Sequence, residues 1–298
     1  MKIYFYPHAY FRDRQLDTIR SWSASEIVNP EVSENRLGAQ VSAAFAKAKS
    51  LRLSWKSRLP FINVKLRPRK APNDAVVYVW GAVVATGNFI VDLDNPWALT
   101  AYNLNAMSLY RPLLKRILMS GRCREIRCMS KACRLSLKAL FGQSVYDKAS
   151  VNYPRIPQVV SRVDSLAANS CRFLFIGTQF EIKGGEALLN AFRHVYERIP
   201  SVRLDVITHL PSEFSDLAKS CAGIHVHEAQ FSRDEIYAQF MSQVDVLVLP
   251  TYVDSFGMVA LEGLAIAMVG GVTADTVITT ADEVTWMPLA SVTTPVTV

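Results

Sequence analysis

A strand-like run from Val244 to Leu249 ends at Pro250 and passes through Thr251, Tyr252, Val253, Asp254, Ser255 and Phe256 into a helix-like run from about Gly257 to Ala267. A strand feeding a helix through so short a loop is half of a parallel βαβ unit, with the helix packed back on the sheet. Two carboxylates sit eight positions apart, Asp254 in the loop and Glu262 inside the helix. Between them Ser255, Phe256, Gly257, Met258 and Val259 bring backbone N–H groups to the helix start, where anionic or electron-rich oxygen partners are favoured. A buried strand, a turn and a helix carrying two incidental acids would have the same letters.

A second such unit lies upstream. Cys171 to Gly177 reads as a buried strand closed by a glycine, followed by Thr178, Gln179, Phe180, Glu181, Ile182, Lys183, Gly184 and Gly185. Leu188, Phe192, Val195, Tyr196 and Ile199 then form one helical face that ends at Pro200. This order places a cation and bare backbone at the carboxyl edge of a sheet, where open α/β sheets bind ligands. Between the two units, Val202 to Thr208 and Ile224 to Val226 read as strands and Pro211 to Ser220 as a helix. Ser232 to Glu235 is a capping-box pattern that opens a helix through about Gln243. His209, His225 and His227 lack metal-ligand spacing and read as ordinary surface or loop histidines.

The stretch from Pro250 to Glu262 resembles the acidic E-x7-E-type motif of retaining family-4 glycosyltransferases, with Asp254 in place of the usual first Glu. That resemblance implies an α/β, GT-B-like chain of two Rossmann-like doubly wound domains, the second incomplete. It implies transfer of a sugar from a nucleotide-sugar donor to a glycan or lipid-linked acceptor, with retention. Lys183 would hold the donor diphosphate, with Gly184 and Gly185 allowing close approach at the end of the Gly177 strand. Thr178 stands where the family often carries an arginine. Asp254 would accept hydrogen bonds from donor sugar hydroxyls, Ser255 to Val259 would present N–H groups to sugar or phosphate, and Glu262 would bind the ribose. Charge builds on the departing diphosphate, so a cation and helix-start donors are what such a reaction requires. The nucleotide-sugar is a co-substrate, and no metal or other cofactor is expected. Asp92-Leu93-Asp94 matches a D-x-D only in letters.

The first half reads less directly. Met1 to Pro7 looks like the first strand of a domain, after which His8 and Arg12 would line the acceptor side. Gly38, Ala39 and Gln40 suggest a helix start, Val76 to Trp80 and Phe89 to Val91 suggest strands, and Ile126 to Ser130 suggests a strand before the helix that ends at Phe141-Gly142. In the resembled family the acceptor domain supplies a histidine or acid after the strand that here runs into Asp92 to Trp97. Asp94, as a catalytic residue facing the donor sugar, and Asn95, on the acceptor side, are the residues available for that place, although an Asp/Asn-Pro turn has the same sequence.

The 298 residues are enough for two α/β domains. Residues 1–164 hold 26 Lys and Arg against 11 Asp and Glu, whereas residues 165–298 hold 7 against 15. This division and the small residues from Ser165 to Ser170 suggest an acceptor-side domain over 1–164 and a donor-binding domain over 165–298. The densest basic stretch, Arg111 to Lys138, alternates Lys115, Arg116, Arg122, Arg124, Arg127, Lys131 and Arg134 with leucines and has no nucleic-acid signature. An anionic membrane surface is its sharper partner, and solvated helix faces are the plainer reading. No run reaches the ~18–20 apolar residues of a spanning helix, and five cysteines without C-x-x-C suit a reduced chain. The expected location is the cytoplasm, peripheral to the inner face of the membrane.

After Ala265 the sequence leaves the family pattern for a tail rich in Val, Thr and Ala, which reads as a truncated second domain. An inactive transferase serving as a nucleotide-binding or scaffold protein therefore stays open. So does a nicotinamide-dependent Rossmann enzyme, although no G-x-G-x-x-G follows a strand.

Overall fold

The structure is a computed structural model and describes residues 1–8, 11–34, 61–156, 170–228, 231–254 and 256–269. The chain divides into two compact units, the first ending at Arg155 and the second beginning at Ile156. Residues 165–169 of the expected linker, and Gly38 to Gln40, lie outside the described residues.

The first unit contains β1 (Ile3–Phe5), β2 (Val64–Lys65), β3 (Val76–Trp80), β4 (Val83–Val84), β5 (Phe89–Leu93), β6 (Cys123–Cys128) and β7 (Ala149–Val151). Its main sheet is parallel in the order β1-β3-β5-β6-β7, and β2 pairs separately with β4. A bridge between Ile3 and Ile27 extends the sheet past β1. The Ile3 N–H donates to Glu26 O and the Ile3 carbonyl accepts from Val28 N, so this neighbour lies on the edge of β1 away from β3. The chain thus winds one way to Ile27 and the other way to β3. In such sheets the reversal opens a crevice outside the carboxyl ends of the strands.

Side chains alternate across this sheet as the strand period demands. Val76, Tyr78 and Trp80 pack with Phe5, Phe11, Leu16 and Ile19, the last two on α1 (Asp13–Arg20). Val77 and Val79 join Val91, Met107, Leu114, Leu118, Leu137 and Val145 on the opposite face. That face is covered by α2 (Leu104–Met119), α3 (Lys131–Phe141) and α4 (Gln143–Lys148). Every residue of β3 is buried, which explains its continuous apolar run. Asn103 and Ser130 start α2 and α3 by accepting from Ala106 N and Cys133 N. Ser130 is therefore a helix cap rather than a strand end, and β6 begins earlier than expected, at Cys123.

The second unit contains β8 (Arg172–Ile176), β9 (Arg203–Ile207), β10 (Ile224–His227) and β11 (Val246–Leu247), parallel in the order β10-β9-β8-β11. Its helices are α5 (Gly185–Arg198), α6 (Ser215–Lys219), α7 (Arg233–Gln239) and α8 (Met258–Val269). The capping box forms as read, with Ser232 Oγ accepting from Glu235 N and Glu235 Oε2 accepting from Ser232 N. Three elements are shorter than expected. The Pro211–Ser220 helix is a 3₁₀ turn, Ser212–Phe214, followed by α6. The next helix stops at Gln239, before a separate 3₁₀ turn at Met241–Gln243. Only Val246 and Leu247 of the expected Val244–Leu249 strand pair in register with β8.

His227 also departs from the surface reading. Its Nε2 lies 2.7 Å from Asp205 Oδ1, and its ring packs against Phe240 at 4.8 Å. Asp205 is buried and takes both Nε and Nη2 of Arg203 as well. Although burial opposes it, the bonds from Arg203 and His227 hold the Asp205 carboxyl below its ordinary pKa.

Candidate functional site

In the second unit the strand order reverses beside β8. The chain steps outward to β9 and β10 and then returns to the other side of β8 as β11. The crevice outside the carboxyl ends of β8 and β11 is where a sheet of this kind takes its ligand. Both loops singled out in the sequence leave the sheet there.

After β8, Gly177 continues the ladder by donating to Ile207 O, and its carbonyl accepts from the buried Thr208 hydroxyl at 2.6 Å. The chain then makes a tight turn in which Lys183, Gly184 and Gly185 N–H groups bond back to Gln179, Glu181 and Phe180 carbonyls. Gly184 has φ +75°, the left-handed region that side chains avoid, and a Cβ there would lie 2.0 Å from Pro250 O. At Gly185 a Cβ would lie 2.2 Å from the Phe180 ring. These glycines let the turn sit directly against the loop that follows β11. That loop is bound in return: Tyr252 N donates to Ile182 O at 3.0 Å, and the Thr251 hydroxyl approaches the same oxygen at 3.4 Å.

The result brings together two of the expected residues from positions 71 apart in sequence. Lys183 Nζ lies 2.8 Å from Asp254 Oδ2 and donates to Val253 O at 3.3 Å. Both side chains are partly exposed. Asp254 Oδ1 also accepts from Phe256 N, which turns the chain toward α8. The helix starts at Met258, whose N–H is engaged with Phe256 O. Val259 packs into the core with Leu174, Leu247 and Ile266, so what it offers a ligand is backbone. Glu262 is one turn into the helix and half-buried. Close packing of α8 on β11 follows from Gly263, where a Cβ would meet Leu247 Cδ2 at 2.7 Å. Thr178 is exposed at the sheet edge, and Ser255 lies outside the described residues.

Residues 170–276 match the family described as Glycosyl transferases group 1. The match falls within the second unit. Among curated proteins none matches the chain. Among solved structures, the apo form of the lipopolysaccharide outer core galactosyltransferase WaaB is similar with a TM-score of 0.51 and 13% identity, over 91% of this chain and 79% of that one. The fold class is GT-B. Trehalose-6-phosphate synthase OtsA (TM-score 0.46, 13% identity, 85% of this chain and 67% of that one) and S. aureus TarM in complex with UDP (0.45, 8%, 60% and 40%) are more distant. Within the matched residues, the loops at Lys183 and Asp254 occupy the sheet reversal.

In the first unit, His8 follows β1 at the other reversal. Its ring is surrounded by Tyr6, Phe11 and Trp80 at centroid distances of 5.3–5.9 Å. Burial and the charge of Lys65 lower its pKa to about 4, so it is neutral at pH 7. Arg12 caps α1, with its N–H donating to Gln15 Oε1. Asn95 uses Oδ1 to accept from Trp97 N and start the 3₁₀ turn Pro96–Thr100, which is the structural use its Asn-Pro sequence also allowed. Asp92, beside it, accepts from the buried Tyr78 hydroxyl at 2.6 Å. Asp94 Oδ1 accepts from Asn95 N and from Tyr102, a residue that sequence reasoning did not single out.

Tyr102 reaches Asp94 by an unusual backbone route. Ala101 and Tyr102 have φ of 51° and 66°, the only non-glycine residues with positive φ among the described residues. Such conformations cost roughly 1–2 kcal/mol each. A hydrogen bond to a carboxylate returns roughly 1.5–3 kcal/mol, of the same order as the two strained residues together.

Proposed function

We propose that this chain transfers a sugar from a nucleotide-diphosphate sugar to a glycan or lipid-linked acceptor, with retention at the anomeric carbon, in the manner of family-4 enzymes. The observation that carries the reading is the Lys183–Asp254 pair at the sheet reversal, backed by Gly184 and the start of α8. Without donor, each side chain neutralises the other. An entering diphosphate competes with Asp254 for the Lys183 ammonium, and the carboxylate so released turns to the sugar hydroxyls. The diphosphate gains negative charge as the glycosidic bond breaks, so Lys183 and the N–H groups near Gly257 stabilise it most where charge is greatest. Glu262, further along α8, is assigned to the ribose, Asp94 to a catalytic place facing the donor sugar, and His8, Arg12 and Asn95 to the acceptor side.

Contact with an anionic membrane belongs to the same proposal. α2 and α3 expose Leu109, Leu113 and Leu135, and the same two helices expose Arg116, Lys131 and Lys138. Apolar insertion with basic flanks suits a lipid surface. No helix among the described residues is long and apolar enough to cross a membrane.

The test is thermal unfolding of the chain with UDP, GDP, ADP and their common sugar conjugates, repeated on Lys183→Ala and Glu262→Ala. A rise in Tm with one nucleotide, lost in both variants, is the expected result. A folded wild type that responds to none of them would overturn donor binding and leave a non-catalytic scaffold as the better description.

A further inference from the structure

Lys183 does not reach Asp254 from a free loop. Its stem lies against the end of β8: a Cβ added at Gly177 would stand 3.1 Å from both Cβ and Cγ of Lys183. The same added atom would meet Phe175 Cζ at 3.1 Å, so the bare Cα of Gly177 is closed in by a buried ring and by the lysine stem. Where Gly177 sits therefore decides where the Lys183 ammonium points.

Gly177 is held in turn by the end of β9. Its N–H donates to Ile207 O at 3.1 Å, and its carbonyl accepts from the next residue, through the Thr208 hydroxyl at 2.6 Å. No backbone N–H among the described residues bonds that carbonyl, so the hydroxyl is the partner that satisfies it. The bond is at the short end of the range for two oxygens, and Thr208 is 6% exposed. Branching at Cβ restricts threonine to few rotamers, which aims the hydroxyl at little entropic cost. A valine would fill the same space and leave the carbonyl buried and unpaired, a penalty that the strand end relieves by turning away.

We propose that Thr208 is a positioning residue of the donor site: through Gly177 it fixes the seat of the Lys183 stem, and with it the place at which the ammonium meets a diphosphate. The inference rests on the reading of Lys183 as the diphosphate ligand. Thr208 touches no ligand itself. Its effect passes through a hydrogen bond to Gly177 and then through the packed stem to the Nζ that lies 2.8 Å from Asp254. The start of the loop after β9 thereby joins the loops after β8 and β11 in one site, and a buried hydroxyl sets the aim of a partly exposed cation.

The test reads Lys183 directly, without a nucleotide. The full chain is acetylated briefly with limiting N-hydroxysuccinimidyl acetate, and peptide mass spectrometry gives the rate at Lys183 relative to the exposed Lys131. Asp254→Asn, which leaves the lysine without its carboxylate, marks the rate of the freed side chain. Thr208→Val should raise the relative rate toward that mark, by about two- to fivefold, the scale of a lost, partly exposed ion pair. Thr208→Ser, which keeps the hydroxyl, should keep the wild-type rate. Gly177→Ala presses a methyl onto the stem and should act as Thr208→Val does, which keeps the test decisive where the valine variant does not fold. A hydroxyl that only stabilises the fold would lower the Tm of Thr208→Val and leave the rate in the folded protein unchanged; that outcome would overturn the proposal, as would the same rise in Thr208→Ser. Calorimetric titration with UDP, GDP and ADP then separates the two readings. Binding of one nucleotide, weakened about tenfold in Thr208→Val and retained in Thr208→Ser, is the expected result. Unchanged binding in a variant whose Lys183 has been freed would overturn the role of Thr208 in the donor site. A wild type that binds none of the three, with the acetylation pattern as expected, would remove the donor reading and leave the hold of Thr208 on Lys183 standing.

Discussion

Lys183 and Asp254 neutralise each other at 2.8 Å across two loops that leave adjacent strands. A site whose cation already has a partner binds an anion against internal competition. Asp254→Asn should therefore tighten binding of free UDP or GDP, by up to about tenfold for each 1.4 kcal/mol of competition removed, while sugar transfer falls. Calorimetric titration of the variant checks this; weaker nucleotide binding in Asp254→Asn would contradict the competition.

Gly184 tolerates no side chain. Its φ of +75° and the 2.0 Å approach of an added Cβ to Pro250 O act together. Gly184→Ala should lower stability by about 2–4 kcal/mol, read as a shift of the urea midpoint with little change in slope. Lys183→Ala, which removes a partly exposed ion pair, should cost at most about 1 kcal/mol.

His8 ties the first unit to pH. Its folded pKa of about 4 lies below the ordinary 6.5, so between these values the unfolded chain binds the extra proton. Its contribution is present in full above pH 6.5 and declines as pH falls toward 4, by at most about 3 kcal/mol. In His8→Phe that part of the pH dependence should vanish, leaving a flatter curve of stability between pH 6.5 and 4. A wild-type slope retained in the variant would assign the effect to other groups.

Ala101→Gly relieves a left-handed alanine without touching the Tyr102–Asp94 bond. It should raise stability by roughly 1 kcal/mol, after the greater freedom of glycine in the unfolded chain is subtracted. The unfolding midpoint of the single variant measures it directly.

Vesicle flotation addresses the membrane proposal. The chain should float with phosphatidylglycerol–phosphatidylcholine vesicles and not with phosphatidylcholine alone, and Arg116→Glu/Lys131→Glu/Lys138→Glu should abolish it. Each basic residue near such a surface is worth about 1 kcal/mol, so added salt should weaken the binding steeply. Equal flotation with neutral vesicles would point to the leucines alone.

Most strands of both units were legible because buried parallel strands are written as short apolar runs closed by glycine, proline or a polar turn, as at Phe173 to Gly177; β2, β4 and β7, of two or three residues each, are too short to leave such a run. The loops at Lys183 and Asp254 were legible for the same reason: each follows such a strand, and strand ends in one parallel sheet share an edge. The contact between them was not, since whether Lys183 meets Asp254 or points to solvent is decided by the path of two glycines and a proline. Val244 to Leu249 misled because hydropathy reports burial, and Val244, Val248 and Leu249 pack against the core without pairing in register. His227 was missed because its partner, Asp205, lies on the neighbouring strand and is reached only through register. Tyr102 left no mark at all. A tyrosine with positive φ violates the residue preferences by which turns are read, and the carboxylate it meets sits on the far side of a 3₁₀ turn.

The seam between Ile182–Gly184 and Pro250–Tyr252 has a consequence for anyone who would re-engineer the proposed donor site. The backbone of one loop is the wall against which the other is moulded, so neither can be transplanted from another transferase by itself. A chimera that imports a new turn at 183–185 would meet the Pro250 carbonyl, and one that imports a new loop at 250–254 would deprive Ile182 of its donor. The two segments are a single module written in two places, and a working graft has to carry both.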